Sequence, residues 1–153
     1  VVLVGEMRDY ETIAAALTVA ETGHLVLATL HTNSASQTLD RIVDVFPEEK
    51  KDQVSLQLSN TIQGIISQRL IPAIDGGRVP ATEIILGTSA VRTNIREGKT
   101  HLIDNVIQTS ESIGMMSLEK SLANWVNQGV VSYETAKKWA MRRESLDRYL
   151  DGK

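Results

Sequence analysis

The sequence predicts an α/β fold: parallel strands joined through a helix, an antiparallel hairpin at the sheet edge, and a helical C-terminal region. Three observations carry that expectation. Val1 to Val4 and Leu25 to Leu30 are apolar runs that do not alternate with polar residues, as parallel strands covered on both faces require. Between them Asp9 caps a helix running to about Thr22, with Ile13, Leu17 and Ala20 on one face and Gly23 as its stop. Strand, helix and strand then form a βαβ unit. Asp75-Gly76-Gly77, flanked by the strand-like runs Gln68 to Ile74 and Arg78 to Leu86, is a hairpin signal, and Pro80 confines the second run to an edge.

The other elements follow from local chemistry. Ser34 or Ser36 caps a helix bearing Leu39, Ile42, Val43 and Phe46. Pro47 with Glu48 and Glu49 opens the next helix, since proline suits the first turn and acids suit the positive end of the dipole. Val54, Leu58, Ile62, Ile65 and Ile66 make its apolar stripe. After Thr88 the texture changes to short helices: Ser89 to Glu97 stopping at Gly98, His101 to about Ile113 stopping at Gly114, one opened by Ser117 and ending at Gly129, and one opened by Ser132. Arg142 to Lys153 is charged and reads as a frayed tail. The expected division is residues 1–87 as part of an α/β core and residues 88–153 as a helical subdomain.

Bulk properties narrow the function classes. The 153 residues suffice for one domain with a real core, and 42% hydrophobic with 23% charged residues is ordinary for a globular chain. A net charge of −3 argues against a general nucleic-acid binder, which carries a basic stripe. The lack of cysteine excludes a disulfide framework and a cysteine-type zinc site. No apolar run approaches the roughly 20 residues of a membrane span.

Candidate chemistry gathers at two strand ends. In open α/β sheets the carboxyl ends of the strands are where ligands bind. Glu6, separated from the first apolar run only by Gly5, stands at such an end, where a carboxylate can polarise an attacking water or hold a metal-bound one. Helix capping or pairing with Arg8 would also account for it. His31, flanked by Thr29 and Thr32, occupies the equivalent tip of the second strand, where an imidazole can donate to a terminal phosphate. His24 lies at the opposite end of that strand. Gly98-Lys99-Thr100 imitates the tail of a phosphate-binding loop, but Thr93 stands where the loop needs glycine, and the segment follows a helix. It reads as a helix end followed by a new start. The helix with Leu118, Leu122 and Trp125 reads as core, and Trp139 and Tyr149 serve either an interface or tail packing. The sequence reads as the back half of a nucleotide-driven enzyme.

Four segments, Leu3 to Asp9, Thr22 to Ala35, Thr38 to Pro47 and Gln63 to Pro72, closely resemble secretion-superfamily ATPases, the motors of type IV pili and type II secretion. The first two resemble that family's Walker B and His boxes. Ala90-Val91-Arg92-Thr93-Asn94-Ile95-Arg96-Glu97 resembles the AIRNLIRE motif of its pilus-retraction branch, with Val91, Thr93 and Asn94 as departures. The tetracysteine insertion usual in assembly-type motors has no counterpart. The resemblance implies a partial RecA-like P-loop NTPase core working as a hexameric ring. It assigns Glu6 to the catalytic Walker B glutamate and His31 to a γ-phosphate contact. Arg8 and Thr29 become active-site support, and the helix from Ala90 to Glu97 belongs to retraction. Gly5 stands where many NTPases place a metal-holding aspartate, as is normal for the family.

The resemblance further implies ATP and Mg2+, an inner-membrane pilus platform protein as partner, and a cytoplasmic location peripheral to the inner membrane. Family phosphate-binding residues lie upstream of these segments. The chain alone is therefore expected not to hydrolyse ATP, and to expose apolar sheet surface. Two alternatives stay open. One is a sister motor, either an accessory retraction ATPase or a secretion ATPase without the zinc insertion. The other is a non-enzymatic product that caps or regulates a motor ring through its helical tail.

Overall fold

Helix starts in this chain are set by short polar side chains. Asp9, Ser34, Thr88, Ser117 and Ser132 each accept the backbone N–H three residues on, satisfying a donor that the first helical turn leaves unpaired. The computed structural model describes residues 1–152. These run β1 (Val2–Val4), α1 (Tyr10–Glu21), β2 (Val26–Ala28), α2 (Ala35–Asp44), α3 (Glu48–Thr61), β3 (Gly64–Pro72), β4 (Arg78–Leu86), α4 (Ser89–Arg96), α5 (Ile103–Thr109), α6 (Leu118–Asn127), α7 (Tyr133–Trp139) and α8 (Arg143–Asp151). Short 3-10 turns span Thr100–Leu102 and Glu111–Ile113. The fold is α/β with a parallel strand pair, a hairpin and helices, as the sequence predicts.

Two compact units interleave along the chain. One takes Val1–Ile65 with Leu86–Val106, and the other takes Ile66–Ile85 with Ile107 onward. Each therefore draws on both sides of the boundary expected near residue 87.

In the first unit β1 and β2 pair in parallel, Val2 with Val26, Leu3 with Leu27 and Val4 with Ala28. The sequence expects both faces of this pair to be covered. Leu3 and Leu27, side by side on one face, are instead 75% and 51% exposed. The structure thus carries the exposed apolar sheet surface that the family resemblance implies. Helix α3 is the hub of this unit and packs on α1, α2 and α4. Its stripe ends earlier than expected. Thr61 closes the helix, Ile62 is already extended, and Ile65 and Ile66 lie on β3. The β-branched cluster that continues a helical stripe on paper suits a pleated strand better. Gly87 also binds that strand's approach, its N–H donating to Gln63 O at 2.8 Å.

The second unit takes most of the hairpin. Gly76 and Gly77 turn it with φ of 93° and 74°, a region closed to most side chains. The hairpin is a sheet of its own, not an edge added to β1 and β2. Its inner face packs Ile71 and Ala81 against Leu118, Leu122, Ala123, Val131, Ala136 and Leu146. Trp125 adds a hydrogen bond from Nε1 to Pro80 O at 2.7 Å.

The expected frayed tail is an ordered helix. Leu146 on α8 is fully buried, and Glu119, 1% exposed, accepts Met141 N–H and Arg142 N–H at 3.0 and 2.9 Å. A carboxylate from α6 thereby satisfies backbone donors where α8 begins. Charge along Arg142 to Asp151 hid the core residue among solvated ones. Tyr149 is tied down as well, its hydroxyl donating to Glu111 Oε1 at 2.6 Å while Lys120 pairs with Oε2. Burial works to raise the Glu111 carboxyl, but the hydrogen bonds from Lys120 and Tyr149 outweigh it and hold the group below its usual value.

Two outcomes follow from this packing. Leu146→Ala destabilises the protein by about 2–5 kcal/mol in urea unfolding, whereas a frayed tail would give no change. A group with a lowered folded pKa contributes stability above its unfolded value of about 4.3 and loses it as pH falls through the folded one. The melting-temperature difference between wild type and Glu111→Gln is therefore largest near neutral pH and narrows in acid.

Candidate functional site

The site grows out of strand pairing. Beyond the last register pair, Val4 with Ala28, the two chains stay zipped: Met7 N–H donates to Thr29 O at 2.9 Å, and the Thr29 hydroxyl donates to Gly5 O. The backbone on either side of Glu6 is thus held to the neighbouring strand tip. Thr29 acts here through backbone geometry, with its side chain committed to Gly5.

Glu6 meets both predicted neighbours. Arg8 lies 2.5 Å from its Oε2, and His31 Nε2 lies 3.2 Å from its Oε1. The Glu6 side chain is 25% exposed, against 74% for Arg8 and 83% for His31. Foremost among its influences, the Arg8 hydrogen bond lowers the Glu6 carboxyl below the usual range. Partial desolvation opposes it, and His31 adds a smaller effect in the same sense as Arg8. Glu6 is therefore a carboxylate at neutral pH. Each of its oxygens retains acceptor capacity beyond the partner it has. The arrangement can orient a water through Glu6 while two exposed donors stand ready for an anion.

Asp9, just past this cluster, binds Thr12 N–H at 2.8 Å and the Thr12 hydroxyl at 3.1 Å, anchoring α1 to the site. His24 stays apart, with Nδ1 3.0 Å from the Thr22 hydroxyl at the other end of β2. Gly98-Lys99-Thr100 is a helix end: Gly98 has φ 65°, Lys99 pairs with Glu97 at 2.8 Å, and Thr100 donates to Asp40 at 2.6 Å.

His31 also borders a shallow cleft lined by Thr32, Asn33, Gln37, Asp40, Arg41 and Asp44. Sequence reasoning missed the α2 contribution. Gln37, Asp40, Arg41 and Asp44 repeat at helical spacing opposite the apolar stripe, which is the signal that would have found them. Among the described residues no group of three or more His, Cys, Asp or Glu could hold a metal ion.

The predicted motif on α4 is divided by its helix. Val91 and Ile95 are buried, Arg92, Thr93 and Asn94 are half-buried, and Ala90, Arg96 and Glu97 are exposed. Arg92 points inward, onto backbone carbonyls.

Comparison with known proteins places the chain in a family. The family model described as type II/IV secretion system protein matches residues 1–150. The chain is 54% identical over 146 residues to the type IV pilus retraction ATPase PilT of Pseudomonas aeruginosa, covering 95% of this chain and 42% of that protein. It is 50% identical to a twitching motility protein of Neisseria gonorrhoeae, covering 95% and 39%. A crystal structure of the pilus retraction motor PilT with bound ADP superimposes with a TM-score of 0.85 at 44% identity, covering 95% of this chain and 41% of that one. The chain thus spans about two fifths of the length of these relatives.

Arg8→Ala should let the Glu6 carboxyl rise toward the ordinary value of about 4.3, followed by NMR titration of the side-chain carbon. An unchanged Glu6 titration would show that the Arg8 pair does not govern it.

Proposed function

Because the chain belongs to the type II/IV secretion system protein family, we propose that it supplies the Glu6–His31 side of an ATP-hydrolysing site in a hexameric motor that retracts type IV pili. The observation that carries this reading is the Glu6 carboxylate, fixed at the tip of β1 between Arg8 and the His31 of the adjacent tip. Likeness to PilT, whose structure binds ADP, supports the nucleotide and the motor class.

In phosphoryl transfer the protein's task is mostly positioning and charge stabilisation. Glu6 accepts a hydrogen bond from the attacking water and aims its oxygen at the γ-phosphorus. Arg8, and to a smaller extent His31, favour its ionised form. His31 and Arg8, both exposed, donate toward phosphate oxygens as charge shifts onto them. Thr29 holds the Gly5 carbonyl and with it the Glu6 backbone. The sequence contains no GxxxxGK[ST], so the phosphate cradle on this reading comes from other residues of the protein. Mg2+ would arrive on the nucleotide and neutralise phosphate charge. Of the groups at this site Glu6 is the carboxylate able to face it, directly or through water.

The wider reading follows the same relatives. The ring meets an inner-membrane pilus platform protein from the cytoplasmic side, and α4 serves retraction. No helix among the described residues is long and apolar enough to cross a membrane.

The test is steady-state ATP hydrolysis by the full-length protein. Glu6→Gln should lower turnover on the order of 10²-fold or more, and the 153-residue chain alone should show none. Normal turnover in Glu6→Gln would remove Glu6 from the chemistry.

A further inference from the structure

The Arg92 guanidinium donates four hydrogen bonds to backbone carbonyls. Nε donates to Gly87 O at 2.7 Å, one terminal nitrogen to Ser59 O and Asn60 O at 2.7 and 2.6 Å, and the other to Ile62 O at 2.6 Å. Ser59 and Asn60 are in the last turn of α3, whose carbonyls lack partners within the helix, and Ile62 follows that helix immediately. A cation at a helix carboxyl end also meets the negative end of the dipole. Gly87 makes room for this junction. A Cβ there would fall 2.3 Å from Ile62 O and 3.1 Å from the Arg92 guanidinium.

Helix α3 is in turn stapled to α1 at two places. Lys50 Nζ donates to the Tyr10 hydroxyl at 2.9 Å, with Tyr10 edge-on to Phe46, and Gln57 Nε2 donates to Glu21 at 2.9 Å. Ile13, Leu17, Val54 and Leu58 are buried on these helices. Helix α1 is capped by Asp9, three residues after Glu6.

We propose that Arg92 is a positioning residue that locks α4 to the carboxyl end of α3, so that α1, α3 and α4 respond to nucleotide at Glu6 as one body. The lock rests on contacts alone. Its response to nucleotide rests on the function proposed above. Arginine is specific for the task, because its planar fork reaches four carbonyls in fixed directions and a lysine ammonium cannot.

Hydrogen exchange on the full-length protein, with and without ADP, tests this, with calorimetry reporting ADP binding separately. Without nucleotide, Arg92→Ala, Arg92→Lys and Gly87→Ala should each speed exchange at residues 59–63 and 87–97 by about tenfold or more. Gly87→Ala attacks the lock while keeping the arginine. With ADP, the unsubstituted protein should change protection in both 10–21 and 87–97. In the three variants the change should persist in 10–21 and vanish in 87–97. A merely structural arginine would raise exchange in 87–97 but leave its ADP-dependent difference intact, and that outcome overturns the proposal. So does an unsubstituted protein that binds ADP without changing 87–97. Absence of ADP binding overturns the nucleotide reading and the relay together. The exchange data without nucleotide then still decide whether the lock exists.

Discussion

Everything at the site depends on the parallel register of two three-residue strands. Pairing Val4 with Ala28 brings both strand ends to one level, and the Met7–Thr29 and Thr29–Gly5 hydrogen bonds continue that pairing past the strands. A shift by one residue would turn the side chains to the opposite face and separate Glu6 from His31. Strands this short are weakly determined by their own pairing. The register is set by what lies around it, including α1 capped by Asp9 and packed against β2.

The same economy governs the helices. A backbone carbonyl or N–H that loses water must find another partner. In this chain that demand is met at several points by a side chain from a distant segment. Arg92 meets it for the end of α3 and Glu119 for the start of α8, and the Thr29 hydroxyl likewise binds the exposed Gly5 carbonyl. Each such bond joins segments far apart in sequence. Together they make the first unit a connected body around α3 and make α8 part of the second unit's core.

This connectivity changes the meaning of the motif on α4. The resemblance treats Ala90 to Glu97 as one motif. The structure divides it: Val91 and Ile95 are core, Arg92 is bound to backbone, and Ala90, Arg96 and Glu97 face outward. The exposed Leu3 and Leu27 belong to a different kind of surface, apolar and on a sheet. A chain spanning two fifths of its relatives' length presents both.

The sequence by itself determined what is local. Helix starts at Asp9, Ser117 and Ser132 were legible, and Ser34 as one of two candidate caps, because capping needs only a short acceptor and three following residues; the Thr88 cap went unread. The hairpin turn at Gly76 and Gly77 was legible because few residues adopt positive φ. Glu6 and His31 were legible as strand-tip groups. Tertiary structure decided what depends on distant partners. It ended α3 at Thr61, where the Arg92 guanidinium and the Gly87 N–H offered the carbonyls of Ile62 and Gln63 other bonds than a further helical turn. It gave the hairpin a sheet of its own, and it made a buried helix of a charged tail through Leu146 and Glu119. Periodicity reports which face of a segment is apolar, but not which distant surface will cover it.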